Sequence, residues 1–289
     1  MRSSAVLPVV AGASGAVAQS VCNGQAAYCD MMYSEVTFVG SHDSSFVGVL
    51  PTENQLQSVT DQLDMGIRFM TTQTHLENGV VENCHTSCAE LDAGSLESYL
   101  STVKTWMDSN PNEVVTLLIT NGDDIPITMF GDAFDSAGLT QYTFSPSGTL
   151  AMGDWPTLGD LISAGTRLVT FMDYYADPSQ VSYILDEFTY IFETPFDPLY
   201  STISACNVDR PPNSDGDGLM ILANHNLNYE ILGIDIPDLA DAAKTNSVSN
   251  ISAQNDECQT LHGRKANIVL LDYVSVGEAI AAQDSLNGV

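Results

Sequence analysis

Basic residues are scarce in this chain of 289 residues. It contains 8 Lys and Arg against 37 Asp and Glu, which gives a formal net charge of −29 at pH 7. A protein with this balance is repelled by nucleic acids and by anionic membrane surfaces. We therefore expect no nucleic-acid partner, at most peripheral contact with a membrane, and a monomer that its acidic surface keeps soluble.

Long apolar runs are also scarce beyond the first residues. Residues 5–16 are small and apolar, Arg2 precedes them, and Ala16-Val17-Ala18 has the form of a signal-peptidase site. We predict a secretory signal over residues 1–18, an extracellular product, and a single domain over residues 19–289. The alternative is a membrane-spanning helix, which needs about 20 apolar residues.

The six cysteines are even in number, which agrees with an oxidising compartment. They fall into neighbouring pairs along the chain, so sequential pairing is the simplest connectivity. The predicted disulfides are Cys22–Cys29, Cys84–Cys88 and Cys206–Cys258. The middle disulfide would close a small ring around His85 and fix its backbone. Zinc is the competing use of this ring, but no second closely spaced pair accompanies it. We expect neither a metal nor a cofactor.

Apolar runs rich in β-forming residues alternate with segments of helical spacing. The predicted strands are 35–40, 67–76, 113–121, 167–173, 190–194, 218–224 and 267–273. The predicted helices are 55–65, 96–109, 127–137, 158–164, 180–188, 236–244 and 276–285. This alternation predicts an α/β fold of the (β/α)8 TIM-barrel type, either closed or distorted and incompletely closed. A dinucleotide-binding fold is disfavoured, because no Gly-x-Gly-x-x-Gly follows the first strand.

Polar side chains end most of the predicted strands, and a barrel collects such ends around one mouth. They are His42 and Asp43, Gln73 and His75, Asn121, Asp173, Glu193, Asn224 with His225, and Asp272. The competing interpretation of any single Asp or Asn is a helix cap or a turn. His42 and His85 suggest catalysis, because two imidazoles can take a proton from one oxygen and give a proton to another.

Several motifs resemble the phosphatidylinositol-specific phospholipase C X-domain superfamily, and within it the secreted fungal phospholipase-C-like phosphodiesterases. They are Thr37-Phe38-Val39-Gly40-Ser41-His42-Asp43-Ser44, residues 63–69, Cys84-His85-Thr86-Ser87-Cys88, residues 110–115 and Leu270-Leu271-Asp272-Tyr273. The resemblance runs from about residue 30 to the carboxyl terminus. It implies a secreted phosphoric diester hydrolase of lipid metabolism that cleaves a phospholipid or inositol phosphodiester.

The resemblance also implies roles for individual residues. His42 matches the general base that takes a proton from the attacking inositol hydroxyl, and His85 matches the general acid that protonates the departing oxygen. Asp272 matches the carboxylate that orients the base, and Asp43 matches a residue on the phosphate side of the site. The candidate substrate-binding residues are Gln73, His75, Asn121, Asn224 and His225.

Two departures from the family pattern concern the phosphate. Bacterial members carry an arginine clamp where the alignment gives Gln73, and Arg68 points to the other face of that strand, where we interpret it as an ion-pair partner. Eukaryotic members hold calcium through carboxylates where this chain has Thr71 and Gln73, so we predict a metal-independent site. Arg167 and Lys265 are the cations left as phosphate ligands.

The missing clamp keeps other functions open. One is a secreted barrel that has lost catalysis and binds a phosphorylated or glycosylated ligand. Another is a metal-dependent glycerophosphodiesterase or sphingomyelinase-D-like enzyme, which turnover in the presence of a chelator would exclude.

Overall fold

The computed structural model describes residues 21–196, 198–200, 202–231 and 234–289. The predicted signal over residues 1–18 lies outside them. The strands are β1 (Phe38–Ser41), β2 (Phe69–Glu77), β3 (Val80–Cys84), β4 (Asp92–Ser95), β5 (Val115–Asn121), β6 (Leu168–Met172), β7 (Ile184–Asp186), β8 (Ile191–Glu193), β9 (Met220–Asn224), β10 (Asn228–Ile231), β11 (Ile234–Pro237) and β12 (Ile268–Leu271). The α-helices are α1 (Val59–Asp64), α2 (Leu96–Ser109), α3 (Ile127–Ala137), α4 (Leu158–Ala164), α5 (Glu187–Tyr190), α6 (Ala242–Thr245), α7 (Val248–His262) and α8 (Ala279–Asn287).

Eight parallel strands form one curved sheet in the order β7-β6-β5-β2-β1-β12-β9-β8. The central strand β1 pairs on both sides, with Gly40 opposite Phe69 of β2 and Leu270 of β12. Within the described ranges no ladder joins β7 to β8, so the barrel stays open between them. The predicted (β/α)8-type fold is confirmed in its incompletely closed form.

The seven predicted strands are all present, but two predicted helices are wrong in part. Residues 180–188 contain strand β7, because the apolar pair Ile184 and Leu185 is buried at the sheet edge. Residues 236–244 begin in strand β11, and the helix there covers only Ala242–Thr245. Strands β3 and β4 were not predicted; they continue β2 in antiparallel fashion beyond the barrel.

Alternate residues of each strand enter two apolar layers, as the period of a strand requires. On β2, Met70 packs in the outer layer with the helices, whereas Phe69 packs inside the barrel. Leu118 and Leu270 join Phe69 in the inner layer and form the cavity floor. The residues that follow on the inner face are polar, and they face the open mouth above this floor.

All three predicted disulfides are present: Cys22–Cys29, Cys84–Cys88 and Cys206–Cys258. The segment after the first of them lies against the inner layer, where Tyr33 stacks on Trp155 with ring centroids 4.9 Å apart and its hydroxyl lies 2.8 Å from Thr116 Oγ1. No helix in the described part of the chain has the length and apolar character needed to cross a membrane.

Candidate active site

A cavity of about 580 Å³ opens at the carboxyl ends of the parallel strands. This is the edge where barrel folds place their chemistry. One side of the cavity carries the two histidines that the sequence singled out. The opposite side carries carboxylates, an arginine and aromatic rings.

His42 lies directly after β1, and its backbone N–H continues the ladder by donating to the carbonyl of Leu271 at 2.9 Å. The His42 carbonyl in turn accepts from the Gln55 amide at 2.7 Å. Its Nδ1 lies 2.9 Å from Asp272 Oδ1. Because an ionised carboxylate only accepts, it holds the proton on Nδ1, so that Nε2 carries the lone pair of the neutral ring.

His85 lies in the ring closed by the Cys84–Cys88 disulfide. Its backbone N–H donates to the Leu91 carbonyl at 3.1 Å, and its imidazole meets the ring of Phe46 edge-on at 5.2 Å. The next residue, Thr86, has a φ of +60°, a conformation that β-branched residues rarely adopt. The ring therefore holds His85 on a backbone that an open chain would not favour.

Asp43 lies between the two histidines. Its Oδ2 is 3.6 Å from Nε2 of His42 and 3.6 Å from Nε2 of His85. Asp43 is almost fully buried and has a positive φ of +47°, and its backbone N–H donates to Thr71 Oγ1 at 2.8 Å. Both reactive ring nitrogens thus face one small region of the cavity.

Gln73, at the position where the resemblance implies an arginine clamp, links the two sides of this region. Its Nε2 donates to Asp43 Oδ2 at 2.8 Å, and its Oε1 accepts from the backbone N–H of Thr86 at 3.2 Å. Gln73 therefore holds Asp43 against the disulfide ring, but it brings no positive charge.

The opposite wall is built around Glu193, the last residue of β8. Arg210 Nη2 donates to its Oε2 at 2.5 Å, and Asn224 Nδ2 donates to the same oxygen at 3.0 Å. Arg210 also donates to the Tyr174 hydroxyl at 3.2 Å and lies 5.0 Å from the ring centroid of Phe196. Among the described residues, Arg210 is the one Lys or Arg that lines the cavity.

Two further carboxyls accompany this wall. Burial raises the pKa of Asp173 to about 6, although the Asn121 backbone N–H donates to it at 3.2 Å. Burial raises the pKa of Glu187 well above its usual range, and the charges of Glu193 and Asp173 raise it further. Burial thus favours the protonated form of Glu187, and Asp173 changes charge in mildly acidic solution.

The structure brings His42, Asp43, Gln73, His85 and Asn224 to the cavity, with Asp272 behind His42. Three other predicted substrate-binding residues do not line it. His75 pairs with Asp123 outside the cavity at 2.9 Å. Asn121 bonds the Ile125 backbone, and His225 is buried with its ring nitrogens against Gln254 and Thr245.

The other cations named from the sequence have structural contacts away from the histidines. Arg68 Nε pairs with Glu113 at 2.8 Å, which confirms the ion-pair interpretation. Arg167 donates to backbone carbonyls, including that of Met107 at 2.7 Å, and Lys265 donates to Leu286 and Asn287. Neither Arg167 nor Lys265 is available as a phosphate ligand.

The positions that the resemblance assigns to calcium do not suit that ion here. Thr71 and Gln73 are neutral, and both are engaged with Asp43. Calcium needs six to eight oxygens, several of them from carboxylates. The described residues contain no group of three or more His, Cys, Asp or Glu side chains arranged to hold a metal ion.

Sequence reasoning missed Arg210 and Asn54, both of which line the cavity. Arg210 lies in the long segment between β8 and β9, and Asn54 lies between β1 and α1. Neither segment has a periodicity that indicates which way a side chain points. The one available signal for Arg210 is the scarcity of basic residues, since few others remain once the structural ones are assigned.

The fold is that of bacterial phosphatidylinositol-specific phospholipases C. The Staphylococcus aureus enzyme in its F249X form superposes with a TM-score of 0.64 at 14% identity, covering 89% of this chain and 94% of that one. The Listeria monocytogenes enzyme gives a TM-score of 0.59 at 14% identity, covering 90% and 95%.

The family model for the PI-PLC X domain (PI-PLC X 1) matches residues 28–287, and the chain belongs to this family. A PI-PLC X domain-containing protein 1 of Arthroderma benhamiae is 51% identical over 93% of this chain and 90% of its own length. A second protein of that fungus, described as an uncharacterized secreted protein, is 42% identical over 89% of this chain. The match spans 60% of that second relative.

Proposed function

We propose that the protein is an exported phosphoric diester hydrolase of the phospholipase C type that works without a metal. The observation that carries this proposal is the position of Asp43, whose Oδ2 is 3.6 Å from Nε2 of both His42 and His85. Two proton-transferring nitrogens that face one region can act on the two oxygens of a single phosphodiester.

In the first step, His42 Nε2 takes the proton of a hydroxyl on the substrate alcohol, and that oxygen attacks phosphorus. His85, protonated on Nε2, gives its proton to the oxygen whose bond to phosphorus breaks. The products are a cyclic phosphodiester and a free alcohol. In the second step the roles reverse, as His85 takes a proton from water and His42 returns its proton to the ring oxygen. Each transfer contributes about 10²- to 10⁴-fold in rate.

Asp272 and Asp43 support these two steps. Asp272 keeps the proton of His42 on Nδ1, 2.9 Å away, and stabilises the imidazolium that forms. Asp43 places an acceptor oxygen 3.6 Å from His85 Nε2, beside the proton that the proposed acid gives up. Gln73 fixes Asp43 and offers no cation, so we expect turnover slower than that of an enzyme with an arginine clamp.

The wall across from the histidines favours a polyhydroxylated alcohol such as inositol. Glu193, Asp173, Arg210 and Asn224 offer both acceptors and donors there, and Phe196 offers a ring face. His42 follows β1, and strands β12, β9 and β8 lead from β1 to this wall. His85 follows β3, which pairs with β2 on the other side of β1. The alcohol that carries the attacking hydroxyl therefore binds against this wall, and the leaving group lies on the His85 side of the cavity.

Export and membrane contact belong to the same proposal. The three disulfides suit an oxidising compartment, and a relative 42% identical is described as secreted. Exposed apolar side chains such as Val49, Leu50 and Tyr175 follow strands β1 and β6 at the mouth. We propose that the protein acts as a monomer and touches a phospholipid surface only peripherally, because its net charge of −29 opposes anionic lipids.

A second function, binding of a phosphorylated or glycosylated ligand without cleavage, is favoured by one observation. Gln73 replaces the arginine and is committed to Asp43 and Thr86, so no cation lies beside the histidines in the described structure. Ligand binding that depends on Gln73 or His85, together with no turnover on a panel of phosphodiesters, is the result that supports this function.

The hydrolase is tested with His42→Ala and His85→Ala, assayed on phosphatidylinositol and on glycerophosphoinositol in the presence of a chelator. Each variant should retain its fold and lose at least about 10²-fold in kcat. His262→Ala is the matched control, because His262 bonds the Cys206 carbonyl at 2.7 Å, away from the cavity. Full activity in either of the first two variants refutes the proposed roles.

A further inference from the structure

We propose that Asn54 is a positioning residue that controls the proton affinity and orientation of the His42–Asp272 pair. This inference rests on the proposed function, because it assigns Asn54 a part in preparing the general base. Neither the sequence pattern nor the family resemblance pointed to this residue.

Three side chains meet at one point behind the base. Asn54 Nδ2 donates to Asp272 Oδ1 at 3.0 Å, and the same oxygen lies 2.9 Å from His42 Nδ1. Asn54 Nδ2 is itself 3.4 Å from His42 Nδ1. Asn54 is 1% exposed and Asp272 is 4% exposed, so this contact is shielded from bulk solvent.

Backbone hydrogen bonds fix the Asn54 side-chain amide in this place. The backbone N–H of Asn54 donates to the Phe46 carbonyl at 3.0 Å, and the backbone carbonyl of Asn54 accepts from the N–H of Tyr273 at 2.8 Å. Tyr273 follows Asp272 directly and has a positive φ of +50°. Asn54 thus joins the loop after β1, which carries His42, to the loop after β12, which carries Asp272.

The carboxylate depends on this contact. Asp272 Oδ2 is buried and has no hydrogen-bond partner among the described residues. The hydrogen bonds given to the charged carboxylate are therefore those at Oδ1, from His42 and Asn54. A hydrogen bond to a charged group is stronger than one between neutral groups, and an unpaired buried oxygen adjacent to it makes each remaining donor more important.

The Asn54 donor acts on both members of the pair in the same direction. It stabilises the ionised carboxylate, and its positive end, 3.4 Å from Nδ1, disfavours a second proton on the His42 imidazole. Without the Asn54 donor, His42 and Asp272 both keep their protons to higher pH. The form with a neutral His42 and an ionised Asp272 therefore appears only at higher pH. The acidic limb of the pH–rate profile then moves to higher pH.

The other charged or titratable groups around the His42–Asp272 pair are left in place when Asn54 is replaced. They are Asp43 and, beyond it, His85 on the cavity side, Glu53 and Tyr273 on the loop side, and Asp173, Glu193 and Arg210 across the cavity.

The experiment compares the parent protein with Asn54→Leu, which has the same branched shape but no donor, and with Asn54→Asp, which has the same shape and an added carboxylate. Asn267→Leu is the control for lost stability, because Asn267 is a buried asparagine that bonds the Ile221 and Ser34 backbones before β12. The pH dependence of kcat/KM is measured, and the protonation of His42 is followed by NMR of the ring nitrogens.

We expect the protonation midpoint of His42 and the acidic limb of kcat/KM to move up by about one to two pH units in Asn54→Leu. The shift should be as large or larger in Asn54→Asp and absent in Asn267→Leu. A folded Asn54→Leu with an unmoved His42 midpoint and a uniformly lowered rate assigns Asn54 a structural role and overturns the proposal. The NMR measurement decides this even if no phosphodiester is cleaved, so failure of the proposed function is distinguishable from failure of this inference.

Discussion

Removing the Cys84–Cys88 disulfide and removing the Cys206–Cys258 disulfide should have different effects on the stability of the fold and on the geometry of the site. They close loops of very different length, with sequence separations of 4 and 52. Constraint of the unfolded chain gives a stabilisation of about 2 kcal/mol for the short loop and about 4 kcal/mol for the long one. Stability alone therefore predicts that loss of the long-range disulfide does more damage.

The structure predicts the opposite order for turnover. The short ring carries His85 and holds Thr86 at a φ of +60°. Opening it releases His85, the proposed general acid, which should cost about 10- to 100-fold in kcat, within the range that a proton transfer supplies. Cys206 joins the segment before β9 to Cys258 of α7, and neither residue lines the cavity. Loss of the Cys206–Cys258 disulfide should leave kcat nearly unchanged while the protein stays folded.

The assay compares Cys84→Ala/Cys88→Ala with Cys206→Ala/Cys258→Ala in thermal unfolding and in turnover of glycerophosphoinositol well below the lower melting temperature. We expect the first variant to be the more stable and the less active of the two. A first variant with the full kcat of the parent, or equal losses of kcat in both, refutes the argument that the ring positions His85.

Three further predictions concern the cavity. Because burial raises the pKa of Asp173 to about 6, ionisation of this carboxyl opposes folding as the pH rises from about 4 through 6. Denaturant titrations measure the unfolding free energy of Asp173→Asn minus that of the parent. This difference should be larger at pH 7.5 than at pH 3.5, by up to about 3 kcal/mol, and an equal difference at both pH values contradicts this. Gln73→Arg should raise kcat/KM on phosphatidylinositol by about tenfold or more, since guanidinium binds phosphate bidentately, whereas Gln73→Met should lower it; a folded arginine variant no faster than the parent is the adverse result. Arg210→Gln should raise KM for glycerophosphoinositol by about tenfold with a smaller change in kcat, and an unchanged KM removes Arg210 from the alcohol subsite.

The framework of the site could be predicted from the sequence because its rules are local. Helix α2 begins after Ser95, whose hydroxyl caps it by accepting from Ser98 N, and its bounds match the prediction. The strand ends were predicted to share one mouth because parallel strands present their carboxyl ends at the same edge. His42, Asp43, Gln73 and Asn224 accordingly line one cavity.

Two of the predicted substrate-binding residues lie off the cavity because side chains alternate along a strand. Thr120 lines the cavity, so Asn121 points away from it, and Asn224 lines the cavity, so His225 enters the layer beneath α7. His75 lies off the cavity for a different reason. It is in phase with Gln73, but β2 has by then left the barrel and pairs with β3.

Arg210 and Asn54 could not be predicted, because their positions depend on tertiary contacts. Arg210 is held by the ion pair with Glu193, and Asn54 by the carbonyl of Phe46 and the N–H of Tyr273. Such contacts leave no periodic trace in the residues that carry them. The partners of a loop residue become visible only once the strands have placed them.

A two-histidine acid–base pathway through a cyclic intermediate can be followed by ³¹P NMR of glycerophosphoinositol hydrolysis in the presence of a chelator. We expect a cyclic phosphodiester resonance to appear first and then to be converted into a phosphomonoester, and we expect His42→Ala and His85→Ala each to prevent its formation. Formation of the monoester with no cyclic species, or a cyclic product that still forms at the parent rate without either histidine, contradicts it.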